Sequence, residues 1–110
     1  VVGYIPDQGD IVILDFDPQS GHEQKGRRPA LIVSNRTFNK HLGLAFACPI
    51  TNTKRDFPFH VEVKSEMISG YIMAEQMKSI DYNSRNIKFI EKTNQDSLNQ
   101  ILGIIDSIIE

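Results

Sequence analysis

The sequence has no tryptophan and a single cysteine, Cys48. One cysteine can neither close an internal disulfide nor build a zinc site alone. Its scarcity excludes a disulfide-stapled framework and fits a reducing compartment, most simply a cytoplasm. No apolar run approaches the ~20 residues a membrane helix requires. The opening "VVGYIPDQGD" has neither the basic start nor the apolar core of a signal peptide. No glycine-rich phosphate cradle, no defensible Ser/His/Asp spacing and no Asp/Glu/His cluster at cation-site spacing is present. Internal repeats, low-complexity tracts and linkers are also missing. With 110 residues, 40% apolar and 24% charged, what remains is one ordinary globular domain around one core.

The formal charge of −2 argues against a nucleic-acid binder, but its distribution does not. Between His22 and Arg55 stand Lys25, Arg27, Arg28, Arg36, Lys40, Lys54 and Arg55 against Glu23 alone. The chain is therefore a basic block within an acidic body, and local potential rather than net charge steers a polyanion.

Periodicity predicts a mainly β domain. Alternation and β-branched content mark strands over about 10–16, "RPALIVS", "LAFACPI", "FHVEV" and "SGYIMAEQ", with a short sixth at "NIKFI". The third strand is nearly all apolar and reads as buried on both faces. "NRTFNKHLG" reads as a polar connection with one helical turn. At the C-terminus Leu98, Ile101, Leu102, Ile104, Ile105, Ile108 and Ile109 recur at helical spacing, with Asp96 or Ser97 as the N-cap. Five or six strands with one packed helix imply a small curled sheet or barrel.

Two polar, basic loops follow the first and third strands, "DPQSGHEQKG" and "TNTKRDFP". Loops on a rigid strand scaffold are common homes for sites. Glu23, Arg28 and Thr51 form a candidate constellation, with Glu75, Gln76 and Lys78 on a third segment. Metal-free RNA cleavage needs a base for the 2′-hydroxyl, charge stabilisation at phosphorus and a proton for the leaving oxygen. Glu23 is a possible base. Arg28 suits a phosphate through two parallel N–H bonds, the Thr51 hydroxyl adds a donor, and His22 is a possible proton shuttle. Phe16, Phe57 and Phe59 flank the loops and are either base-stacking rings or core. The plainer readings are a surface ion pair at Glu23, an inert His22, turn roles for Asp15 and Asp17, and a buried thiol at Cys48.

Several ordered motifs then coincide. "GD", "DFDP", "GHEQKGRRPA" and Ser34, followed by "CPITNTKRDFPFHVEV" and "GYIMAEQMKSID", resemble the MazF/PemK family of bacterial toxin endoribonucleases, nearest its MazF and ChpB branches. The likeness covers most of the chain and weakens after about Asp81. It implies a PemK/CcdB-like barrel with an SH3-like core and a C-terminal helix. It also implies a cytoplasmic homodimer that cuts single-stranded RNA without metal or other cofactor, leaving 2′,3′-cyclic phosphate and 5′-hydroxyl ends.

By the same resemblance Arg28, Thr51 and Glu23 are catalytic. Lys25, Arg27, Phe16, Lys54, Arg55, Gln76 and Lys78 are the expected RNA contacts, and a MazE-like antitoxin covers the groove with an acidic tail. DNA is expected to be met only as a toxin–antitoxin complex. The family's A-D-Q aspartate is here Glu75, and Met73 stands where the PemK/Kid branch has a catalytic arginine, so that arrangement does not transfer. Two other readings remain open, a non-catalytic nucleic-acid-binding module and a gyrase-directed toxin of the same fold. The latter depends on a tryptophan-bearing C-terminus, whereas this chain ends in "DSIIE".

Overall fold

The computed structural model describes residues 3–16, 26–55 and 57–109. The chain runs β1 (Asp10–Asp15), β2 (Arg27–Ile32), α1 (Arg36–Leu42), β3 (Ala45–Thr51), β4 (His60–Lys64), β5 (Ser69–Met73), β6 (Lys78–Ile80), β7 (Lys88–Lys92) and α2 (Gln95–Ile109). The strands form one curled sheet in the order β4-β5-β3-β2-β1-β7, with β6 pairing β3. The expected mainly β fold with a C-terminal helix is present, and among the described residues the sheet is a half-barrel of seven strands rather than five or six. Past the end of β4, the Ser65 hydroxyl donates to the Glu91 carboxylate of β7, joining the two edges through side chains.

The extra strand explains how the sheet curls. β3 pairs β2 along one side, but on the other it has two partners: Ala45–Ala47 face β6, and Ile50 and Thr51 face β5. The change falls at Cys48-Pro49, where Pro49 has no N–H to offer a ladder. "SGYIMAEQ" accordingly is strand only to Met73. Ala74–Gln76 form a 3-10 turn that carries the chain from one half of β3 to the other.

Alternation along each strand separates two cores. One face carries Ile11, Leu31, Val33, Cys48, Ile50, Val61, Val63 and Ile72 and is covered by α2 through Leu98 and Ile101. The opposite face carries Val12, Leu14, Phe16, Ala30, Ile32, Ala45, Ala47, Ile80 and Tyr82. β3 is buried on both sides, as its apolar run predicts. The α2 cap is Asn94, whose side-chain oxygen accepts from the Ser97 N–H at 2.8 Å. The helix thus starts earlier than a cap at Asp96 or Ser97 allows. No described helix is long and apolar enough to cross a membrane.

"NRTFNKHLG" folds as two turns of true helix rather than one. Asn35 caps it by accepting from the Phe38 N–H, and Gly43, at φ 69°, ends it in the left-handed conformation. The polar reading missed Asn39, which is fully buried. Its amide donates to the Pro6 and Ser34 carbonyls at 2.8 and 3.1 Å, its oxygen accepts from the Ser34 hydroxyl at 2.5 Å, and its own carbonyl accepts from the Tyr82 hydroxyl at 2.8 Å. Asn39→Ala should cost about 2–4 kcal/mol, because it strands several buried partners at once. A urea titration of the variant against wild type checks this.

Candidate functional site

Antiparallel pairing of β1, β2 and β3 brings the end of β1, the start of β2 and the end of β3 to one end of the sheet. The β2–β3 register matches Ala30 with Pro49, Leu31 with Cys48 and Ile32 with Ala47. Continued by two residues, it sets Arg28 across from Thr51. On the other side Arg28 faces Leu14 and Thr51 faces Tyr71. Leu14, Arg28, Thr51 and Tyr71 thus share one row and, by alternation, one face, away from α2. Arg28 and Thr51 are half-buried, on the same face as the second core. The Thr51 hydroxyl oxygen accepts from the Thr53 N–H at 3.2 Å, which orients it.

β3 and β4 run parallel with β5 between them. The connection from Thr51 to His60 must therefore return along the sheet, and it carries exposed Lys54 and Arg55 directly out of the site row. Gln76 lies in the 3-10 turn, and Lys78 pairs opposite Ala47, further along the same face. The basic block is divided by the topology. Arg36 and Lys40 ride on α1, at the other end of β2, where Arg36 donates to the Ile5 carbonyl at 3.1 Å.

Two expected RNA contacts stand differently. Phe16 is 1% exposed and packed among Leu14, Ala30 and Tyr82, so its ring belongs to the core and offers no stacking surface. It follows Val12 and Leu14 at the period of two, which already directs it inward. Arg27 is exposed but points to the face opposite Arg28, bonding Asp15 at 3.2 Å and the Asn86 carbonyl at 2.7 Å. The same pair accounts for Asp15, read as a turn residue. Glu23, His22 and Lys25, with Asp17, lie outside the described residues.

The structure adds a pair that the sequence did not single out. The His60 side chain is 2% exposed, and its Nε2 stands 2.8 Å from a Glu75 carboxylate oxygen. Phe57 packs edge-on against the imidazole with centroids 5.2 Å apart. The two residues are 15 positions apart, and no local spacing announces them. The alternation of "FHVEV", which sends His60 and Glu62 to one face, was the available signal.

Cys48, beneath this face, is a core thiol. Burial, reinforced by the Glu75 carboxylate, pushes its pKa up to about 12. The reactive thiolate is then negligible at neutral pH. An aromatic disulfide reagent at pH 8 should leave the native protein unlabelled over a time in which urea-unfolded protein reacts fully.

Residues 7–109 match the family of the PemK-like, MazF-like toxin of type II toxin–antitoxin systems. The chain belongs to this family. Among its relatives is the endoribonuclease toxin MazF of Escherichia coli K12, 38% identical over 82 residues, 74% of each chain. The fold superposes on a crystal structure of MazF from Deinococcus radiodurans with a TM-score of 0.92 and 38% identity, over 97% of this chain and 98% of that one. It also superposes on a MazE–MazF crystal structure from the same organism with a TM-score of 0.85 and 38% identity, over 97% of both chains.

Proposed function

We propose that this family member is a sequence-specific endoribonuclease that cuts single-stranded RNA by attack of a 2′-hydroxyl on the adjacent phosphorus. The carrying observation is the β2–β3 register, which continued past Ala30 and Pro49 brings Arg28 and Thr51 to one face, with Lys54 and Arg55 on the loop leaving it. The family membership and the endoribonuclease name of the E. coli relative support the reading.

In this mechanism the Thr51 hydroxyl and the Arg28 guanidinium hold the non-bridging oxygens of the scissile phosphate. Arg28 counters the charge that builds as the five-coordinate phosphorus forms, through parallel N–H bonds that a lysine cannot make. Glu23 removes the 2′-hydroxyl proton. The 5′-oxygen leaves with a proton from Arg28 or His22, giving a 2′,3′-cyclic phosphate and a 5′-hydroxyl. Charge and proton handling are thereby assigned to side chains, and no metal is required. Lys54, Arg55, Gln76, Lys78 and Lys25 contact the strand outside the scissile bond, and binding weakens as salt rises.

The protein acts as a homodimer in a cytoplasm and is neutralised by a cognate antitoxin with an acidic tail. DNA is contacted only by the toxin–antitoxin complex. An open apolar groove between Phe46, Met77, Leu102, Ile105 and Ile109 supports an association surface on the α2 side, and the MazE–MazF structures support the antitoxin. The test is long single-stranded RNA incubated with the protein in excess EDTA. Discrete cuts at a short recurring word are expected. Bound but intact RNA would instead favour a non-catalytic binding module, and loss of supercoiling by gyrase would favour a gyrase-directed toxin.

A further inference from the structure

A carboxylate is out of place on a face that binds phosphates unless something other than a phosphate meets it. Glu75 stands on that face. His60 pairs Met73, which shares the β5 face of Tyr71, the neighbour of Thr51. Strand spacing and rise therefore put His60 about 12 Å from the Thr51 row, within reach of a nucleotide neighbouring the scissile phosphate. The Glu75 side chain remains 32% exposed although one of its oxygens is 2.8 Å from the imidazole.

The arrangement of the ring explains what it is for. The geometry suits a bond in which Nε2–H donates and the Glu75 carboxyl oxygen accepts. Nδ1 is buried and has no hydrogen-bond partner among the described residues. A buried ring nitrogen left in that state calls for an explanation. Here the ring serves through its Nε2–H alone, holding the Glu75 side chain in one orientation. Beside it, Phe57 packs its edge on the imidazole and is itself 49% exposed, although it is a large apolar ring. Fixed acceptor and open ring are the two parts that recognition of an unstacked base requires: stacking, and a partner for the Watson–Crick edge.

We propose that Phe57 and Glu75 form a base-reading subsite, with His60 as its positioning residue. It takes a base bearing an exocyclic amino group, which donates to the carboxylate. Uracil is disfavoured because its carbonyl oxygens flank its single N–H and repel the carboxylate. The inference rests on the ribonucleotide-binding part of the function proposed above and not on cleavage.

The test uses a randomised 2′-fluoro RNA pool, which lacks the attacking hydroxyl and is bound without being cut. Sequencing of the bound fraction should show one position with uracil depleted on the order of tenfold. Glu75→Gln should abolish that depletion, because the amide NH2 can donate to a uracil carbonyl. His60→Ala should blur the same position, and His60→Gln, which restores an N–H, should recover part of it. Phe57→Ala should weaken binding of all sequences. A purely structural role for His60 would lower affinity uniformly and leave the base profile alone. Unchanged base preference in a folded Glu75→Gln protein that still binds RNA, or a wild type that binds none of the pool, would overturn the subsite. A wild type with the predicted preference that nevertheless cuts no natural RNA would retain the subsite and reject the nuclease.

Discussion

Arg28→Ala should lower RNA cleavage by about 10²–10³-fold, the usual cost of removing one preorganised stabiliser of transition-state charge. The expectation follows from position. Arg28 is the second residue of β2, half-buried, with Leu14 on one side and the Thr51 position on the other. Pairing with β1 holds its backbone, so the strand register fixes the face from which the guanidinium projects. Arg28→Lys keeps the charge and loses the fork, and should recover only part of the rate. The loss should appear in kcat more than in binding, since Lys54 and Arg55 still attract the strand. Single-turnover cleavage beside a thermal melt checks both parts. Unchanged turnover in the folded Arg28→Ala protein would remove the central assignment.

Gly70→Ala should be nearly as damaging without touching a reacting group. A Cβ on Gly70 would stand 2.6 Å from the Thr51 carbonyl oxygen and 2.9 Å from Ile50 Cγ2. Backbone oxygen cannot turn aside, so either β5 or the end of β3 must shift. Overpacking of this kind costs about 1–3 kcal/mol. Moving a substrate-holding hydroxyl by about 1 Å costs on the order of 10²-fold in rate. We expect a lower melting temperature together with a disproportionate fall in cleavage. Gly103→Ala is the control: nothing lies within 4 Å of its Cβ, it is exposed in α2, and helix propensity favours alanine by roughly 1 kcal/mol. If Gly70→Ala cleaves at the wild-type rate, the Thr51 backbone is not held by close approach to β5.

The contrast between these two glycines marks what was legible in the sequence. Period-two patterns carried β1 to β5, and the spacing of Leu98, Ile101, Leu102 and Ile105 carried α2, because each element has one buried face. β6 is not legible because three residues, "KSI", hold too little pattern, and its existence depends on β3 changing partners at Pro49. α1 was underestimated because Asn39 looks polar locally but is buried by a network reaching Pro6, Ser34 and Tyr82. At the site, Arg28 and Thr51 were found through motifs, while their shared row needed the register. The resemblance makes Phe16 an RNA contact, but its parity with Val12 and Leu14 points inward. The His60–Glu75 pair depends on the turn after β5, and the alternation of "FHVEV" gives only the face of His60.

The central claim is 2′-hydroxyl attack at a phosphate held by Arg28 and Thr51. The most direct measurement takes a short RNA containing the cleavage word, with a single 2′-deoxy substitution at the nucleotide before the cut, in excess EDTA. This one oxygen should decide the reaction. The ribo substrate is cut to a 2′,3′-cyclic phosphate and a 5′-hydroxyl, and the substituted one is bound but left intact. Cleavage of the 2′-deoxy substrate, or 5′-phosphate ends from the ribo substrate, would contradict it.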